Sequence, residues 1–152
     1  MLIDPTQEQL EKLSTLDQRE PVIFINLMRF HEMARYTGEE GSVDRPYTRE
    51  VSGREAYQRY LSLIEETFMA RVGGRVFLAG PVAAVVVGEA EWDDVVVAEF
   101  PTIGDALRMP RLDGYDDAAV HRTAGVREAE TIVLVQDAMQ RMAIPGAWIT
   151  RV

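Results

Sequence analysis

The fold class of this chain follows from the order in which strand-like and helix-like patterns succeed one another. Helical spacing of apolar residues follows Ser52 as far as Gly73 and recurs from Thr102 to Gly125, with an interruption at Pro110. The runs typical of strands or extended chain are 22–28, 75–80, 82–88, 95–100 and 131–135, with a bend expected at Gly80-Pro81. The resulting order, β-α-β-β-α-β, predicts an α+β protein of ferredoxin-like topology, with an antiparallel sheet and helices on one face.

Two short motifs mark where helices begin. Thr6 and Gln9 form a T-x-x-Q capping box, which predicts a short helix ending near Asp17. Ser52 and Glu55 form the second box, at the start of the long amphipathic helix. Between the first strand and this helix, residues 31–51 are polar and longer than most loops, which leaves open whether they form a lid or a mobile insertion.

Length and composition restrict the class of protein. At 152 residues without a linker, the chain is expected to form a single domain, 1–152, with an N-terminal helix (6–17), a core (21–135) and a C-terminal tail (136–152). The 25 acidic and 16 basic residues disfavour nucleic-acid binding. The longest uncharged apolar run, 76–87, is too short to span a membrane. With neither cysteine nor a signal-peptide pattern, we expect a cytoplasmic protein.

Two neighbouring residues of the last helical segment are candidates for catalysis. Asp117 precedes His121 by one helical turn, so the pair is either an acid–base dyad or an ordinary surface ion pair. Arg122 shares a stripe with Tyr115 and either binds an anionic substrate or pairs with a carboxylate such as Glu99. Both alternatives remain open for each residue.

Further candidates belong to the first strand and the long helix. Asn26 interrupts an apolar strand, where it either polarises a substrate carbonyl or bonds to neighbouring backbone. Arg29 and His31 stand at the end of that strand, where they either reach a cleft or are solvated. Tyr57 and Tyr60 lie on the sheet-facing side of the helix, as core residues or as hydrogen-bond donors to a ligand.

Several short motifs together resemble the domain-of-unknown-function 1330 family (DUF1330). They are Asn26-Leu27-x-Arg29-Phe30, Ser52-Gly53-Arg54-Glu55-Ala56-Tyr57-x-Arg59-Tyr60, Gly73-Gly74-Arg75-Val76, Trp92-Asp93-x-Val95, Phe100-Pro101, Tyr115 and His121-Arg122. The resemblance runs from about Pro21 to Val135 and implies a ferredoxin-like monomer of the dimeric α/β-barrel superfamily. Relatives in that superfamily include cofactor-independent monooxygenases, isomerases, cyclases and haem proteins, so the resemblance implies a fold and not a reaction.

Two functional hypotheses follow. The first is a homodimer that binds a small, partly apolar metabolite between sheet and helices, with His121, Arg122 and Asn26 as catalytic residues of a monooxygenase, isomerase or cyclase. Its substrate-binding residues would be Arg29, Tyr57, Tyr60 and His31. The second is a non-catalytic dimer that binds a ligand or a partner protein. The two hypotheses are discriminated by one observation: the catalytic one requires that Asn26, Arg29, Tyr57 and Arg122 converge in one cavity. We expect no metal site from two separated histidines, and no cofactor, since nucleotide-binding motifs are missing.

Overall fold

The computed structural model describes residues 3–37 and 50–136. Its helices are α1 (Gln7–Ser14), α2 (Gly53–Leu63), α3 (Ile103–Arg108) and α4 (Tyr115–Gly125). Its strands are β1 (Val22–Phe30), β2 (Arg75–Pro81), β3 (Asp94–Phe100) and β4 (Val126–Val135). A π turn (Ile64–Met69) and a 3-10 turn (Ala70–Val72) continue α2, and a 3-10 turn at Met109–Arg111 follows α3. No helix in the described ranges is long and apolar enough to cross a membrane.

The four strands form one antiparallel sheet in the order β2-β3-β1-β4. This order confirms the predicted α+β, ferredoxin-like arrangement. In the central strand, Asn26 lies opposite Val96 of β3 and Thr131 of β4. Both predicted capping boxes are present, at Thr6 and at Ser52, because they depend only on residues three apart in sequence.

The core lies between the helices and one face of the sheet. Alternate strand residues enter it, as the pleat requires. They are Val22 and Met28 of β1, Val96, Ala98 and Phe100 of β3, and Val126 of β4. Tyr57 and Tyr60 of α2 and Ala118 of α4 cover them. The intervening residues point to the opposite side, which we call the open face: Ile23, Ile25, Leu27, Val95, Val97, Ile132 and Leu134. None of these belongs to the core formed by the described residues.

Four boundaries differ from the predicted ones. Helix α1 ends at Ser14 instead of near Asp17, and β1 continues to Phe30. Strand β4 begins at Val126 instead of Thr131, since it pairs with β1 along its whole length. Residues 82–88, predicted as extended, lie outside the sheet: β2 stops pairing at Pro81, opposite Asp94, and no strand of the described part of the chain continues beside it. Val86 and Val87 are consequently 93% and 91% exposed.

Two glycines set the distance between α2 and α4. A Cβ on Gly125 would lie 2.3 Å from the carbonyl oxygen of Gly53, and one on Gly53 would lie 2.6 Å from the carbonyl oxygen of Gly125. Real Cβ atoms do not approach other atoms closer than 3.0 Å. The start of α2 and the end of α4 therefore touch backbone to backbone, which no larger residue permits.

The polar segment 31–51 is described only at its two ends. Met33 forms a bridge with Ser52, and the amide of Arg35 donates to the carbonyl of Ala124 (2.8 Å), so the first part packs on the end of α4. The predictions for residues 38–49 and for the tail, 137–152, lie outside the described residues.

Candidate functional site

Three tyrosines and an arginine meet between the helices and the sheet. Tyr57 and Tyr60 come from α2, and Tyr115 and Arg122 from α4; we call these four residues the Tyr–Arg cluster. The hydroxyls of Tyr60 and Tyr115 share a hydrogen bond of 2.8 Å. The rings of Tyr57 and Tyr60 lie 5.5 Å apart, and those of Tyr60 and Tyr115 6.3 Å apart. The stripe of α4 that was predicted to carry Tyr115 and Arg122 thus faces the two tyrosines of α2.

Burial governs the chemistry of this cluster. Tyr57 is 6% exposed and Tyr60 9% exposed. Burial raises the pKa of Tyr57 and of Tyr60 well above the usual value, although the nearby charge of Arg122 acts in the opposite direction. Both phenols therefore keep their protons at neutral pH, where each can donate a hydrogen bond and neither serves as a base.

The guanidinium of Arg122 is held by the N-terminal segment. Its Nη1 atom lies 2.8 Å from Oδ1 of Asp4, and its Nη2 atom donates to the carbonyl of Ile3. Burial lowers the pKa of Arg122, but the bond to Asp4 and the neighbouring phenols more than offset this and leave it raised. Arg122 thus pairs with a carboxylate, as one of its two predicted alternatives stated, but the partner is Asp4 instead of the example named, Glu99, which pairs with Arg75 of the adjacent strand at 2.7 Å.

His121 lies in a separate environment, on a different side of α4. It is 4% exposed, and its Nδ1 atom is 2.7 Å from the hydroxyl of Tyr36. Arg59 of α2 is hydrogen-bonded to that same tyrosine. Consecutive side chains on a helix point about 100° apart, so those of His121 and Arg122 lie in different surroundings.

Asn26 bonds within the sheet. Its Nδ2 atom donates to the carbonyl of Val96 (3.1 Å), and its Oδ1 atom accepts from the hydroxyl of Thr131 (2.9 Å). Donor and acceptor are both satisfied by neighbouring strands, as expected for an amide within a sheet. The bond to Val96 matches the second alternative stated for Asn26, a hydrogen bond to neighbouring backbone.

Arg29 and His31 lie away from the Tyr–Arg cluster. Arg29 stands on the open face of the sheet, near Glu91 (3.7 Å) and Glu128 (3.6 Å). The backbone of His31 links β1 to the helices, because its amide donates to Gly125 and its carbonyl accepts from Gly53. Burial, followed by the charges of Arg35 and Arg127, lowers the pKa of His31.

The four residues chosen to discriminate the hypotheses thus do not converge. Tyr57 and Arg122 share the Tyr–Arg cluster, Asn26 bonds within the sheet, and Arg29 points to the opposite face. Two grooves of about 390 and 300 Å³ also lie elsewhere. One is lined by residues 82–85 and 88–92, and the other by Pro21, 73–75 and 99–101. In the described ranges, no group of three or more His, Cys, Asp and Glu residues is placed to hold a metal ion.

Sequence reasoning missed three contributors to these surroundings. Asp4 lies 118 positions from Arg122, and Tyr36 lies 85 positions from His121, so no local spacing indicates either contact. Gly53 was noted only as part of a motif. A glycine at the first position of a helix and another at the last position of a second helix could have indicated the close crossing.

Comparisons with known proteins agree with this architecture. The sequence profile of the family described as "Domain of unknown function (DUF1330)" matches residues 47–137. A crystal structure of the methylated RPA0582 protein is 30% identical, with a TM-score of 0.74, and the match covers 96% of this chain and 98% of that one. A second structure of RPA0582, a protein of unknown function from Rhodopseudomonas palustris, is also 30% identical, with a TM-score of 0.71 and coverage of 88% and 95%.

A more distant match is a dimeric protein of unknown function with a ferredoxin-like fold from Bacteroides fragilis. It is 11% identical, with a TM-score of 0.47, and the match covers 78% of this chain and 98% of that one. No curated protein matches the sequence.

Proposed function

The chain belongs to the DUF1330 family, and on that premise we propose that it is a homodimer that binds a small, partly apolar molecule at the Tyr–Arg cluster. The observation that carries this proposal is the concentration of polar groups in an otherwise apolar layer. Three phenols and a guanidinium lie among residues such as Ile64, Phe68 and Met69. Binding sites for small molecules combine apolar walls with a few converging polar groups in this way.

The cluster suits a ligand with a flat apolar body and a carbonyl or anionic group. Arginine binds such groups through two parallel hydrogen bonds, and a tyrosine hydroxyl can donate a further one. Tyr115 also packs edge-on against Phe68, with ring centroids 5.7 Å apart, which lines the layer with aromatic surface.

The arrangement supports binding more than catalysis. The residues predicted to be catalytic, His121, Arg122 and Asn26, have separate partners: Tyr36, Asp4 and the sheet backbone. A general acid or base must come within hydrogen-bond reach of the reacting atom. His121 is buried against Tyr36, outside the cluster that would hold the ligand. The role of His121 in proton transfer stays a prediction.

The open face supports the homodimer. Ile25, Val97 and Ile132 are aligned across β1, β3 and β4, and on the next strand Leu78 is 57% exposed. A contiguous apolar surface of this kind is unusual on a monomer. Two such faces packed about 10 Å apart would bury both sheets.

Native mass spectrometry of freshly purified protein tests both parts, because one spectrum gives the assembly mass and any bound small molecule. We expect a dimer with a reproducible adduct, and we expect Arg122→Gln to lose the adduct while Arg108→Gln keeps it. Arg108 is a suitable control because it forms an ion pair with Asp105 on the surface of α3. A wild-type protein without adduct would argue against ligand binding.

A second pair of variants tests whether the open face forms the dimer interface. Val97→Lys places a charge in the middle of the open face, and we expect it to give a folded monomer in light scattering. Gln58→Lys adds the same charge to an exposed position of α2 and should remain a dimer. A monomeric wild type, or a dimeric Val97→Lys variant, would refute the proposed interface.

A further inference from the structure

Arg122 is a largely buried arginine whose acidic partner is exposed to solvent. The Arg122 side chain is 23% exposed, whereas that of Asp4 is 71% exposed. The carboxylate thus reaches the guanidinium from the solvent side, with most of its own surface in water. Within residues 3–37 and 50–136, Asp4 is the only acid that pairs with Arg122.

The contacts of Arg122 match those of a bound carboxylic acid. One nitrogen donates to a carboxylate oxygen and the other to a carbonyl oxygen, and both acceptors come from the adjacent residues Ile3 and Asp4. The two acceptors stand side by side, as do the oxygens of a bidentate carboxylate. The side chain of Ile3 meanwhile packs against the core.

The segment that supplies these acceptors is held by partly buried contacts only. Helix α1, which follows it, contains no fully buried residue, and Ile3, Leu13 and Leu16 pack against the core while partly exposed. The capping box of Thr6 and Gln9 lies within the segment itself and does not anchor it to the sheet. Segments with few buried apolar contacts open at low free-energy cost compared with the core.

We propose that Asp4 and the carbonyl of Ile3 occupy a carboxylate-binding site at Arg122, and that the ligand is a small aromatic or flat apolar monocarboxylate that displaces them. This inference rests on the proposed function, since it names the ligand class of the same site. The apolar body of the ligand would lie against Tyr57, Tyr60 and Tyr115. The N-terminal segment then acts as an internal competitor that closes the site when no ligand is bound.

Benzoate and its neutral isostere benzamide are suitable probes, titrated into the full chain and followed through the Nε–Hε resonance of Arg122, which Arg122→Gln identifies by its loss. Removing the competitor raises the apparent affinity for benzoate by the inverse of the fraction of wild-type molecules in which Asp4 does not occupy the site. We expect Asp4→Asn to bind benzoate about three- to tenfold more tightly than wild type. Asp17→Asn makes the same change in charge at an exposed aspartate that pairs with Arg19, and should leave the affinity unchanged.

Each outcome decides the inference. Tighter benzoate binding by Asp4→Asn alone, with benzamide at least tenfold weaker, supports it. Equal affinity in wild type and Asp4→Asn overturns the competitor role, and equal binding of benzoate and benzamide overturns the carboxylate class. If Arg122→Gln does not fold, Arg122→Lys keeps the charge but not the paired donors, and should weaken benzoate binding. An adduct in native mass spectrometry without benzoate binding would leave the proposed function standing and refute this ligand class.

Discussion

The close crossing of α2 and α4 at Gly53 and Gly125 predicts that one added methyl group lowers the stability of the protein. Gly125→Ala would place a Cβ 2.3 Å from the carbonyl oxygen of Gly53, where contacts below 3.0 Å are not found. The obstacle is backbone on both helices, so no side chain can rotate away. The helices must separate by about 0.7 Å or more to accept the methyl group.

The cost follows from overpacking. Forcing a methyl group into a filled space costs about 1–3 kcal/mol, which exceeds the gain of at most about 1 kcal/mol from replacing a helical glycine by alanine. For a chain of this size, each kcal/mol corresponds to about 2–4 °C in the melting temperature. We therefore expect Gly125→Ala, and likewise Gly53→Ala, to melt several degrees below wild type in circular dichroism or calorimetry.

Gly104 provides the matched control. It is also helical, in α3, but its nearest atoms beyond its chain neighbours are the hydroxyl oxygen of Thr102 at 3.5 Å and a side-chain oxygen of Gln18 at 3.9 Å. Gly104→Ala should leave the melting temperature unchanged or slightly raised, because only helix propensity changes. If Gly125→Ala melted at the same temperature as Gly104→Ala, the argument that backbone contact sets the helix spacing would be refuted.

Two other groups give predictions that thermal denaturation checks. Tyr60→Phe and Tyr115→Phe each remove one end of the 2.8 Å hydroxyl pair and should cost about 1 kcal/mol, with the double variant costing less than the sum; additive losses would show that the pair is not coupled. Because the pKa of His31 is lowered in the folded state, the unfolded chain binds this proton at a higher pH than the folded chain. The resulting loss of folding stability is absent above the unfolded pKa of about 6.5 and grows as the pH falls towards the folded value. His31→Gln should therefore lose less stability than wild type between pH 7 and 5, and an identical pH profile would contradict this.

The two glycines link stability to the candidate site. Tyr57 lies one turn after Gly53, and Arg122 lies one turn before Gly125, so the spacing of the helices sets where the phenols and the guanidinium meet. A variant that separates the helices and still folds is expected to weaken ligand binding as well as stability. This follows because converging polar groups need fixed positions to bind a ligand.

Much of the fold could be predicted from the sequence because its signals are local. The apolar runs of β1 and β3 identified strands, and the capping boxes at Thr6 and Ser52 identified helix starts within one residue. Segment 82–88 shows the limit of such signals. Its valines favour a strand, but a strand also needs a neighbour to bond with, and the pairing of β2 with β3 ends at Pro81.

The candidate site was only partly predictable. Tyr57 and Tyr60 were selected because helical spacing placed them on the sheet-facing side of α2, and Arg122 because it shares a stripe of α4 with Tyr115. The structure brings the two tyrosines and the arginine together. Arg29 was selected because it stands at the end of β1, three residues after Asn26 in the same strand. Three residues along a strand reverse the direction of a side chain, so the two point to opposite faces of the sheet.

The order of the elements, their caps and the residues that share a face follow from the sequence, since each depends on neighbours within about one helical turn. The partners that those faces meet follow from the three-dimensional packing instead. Asp4 pairs with Arg122 and Tyr36 with His121 across 118 and 85 positions of the chain. Such contacts depend on how closely α2 and α4 approach and on where the N-terminal segment lies, and neither property is encoded in any local spacing.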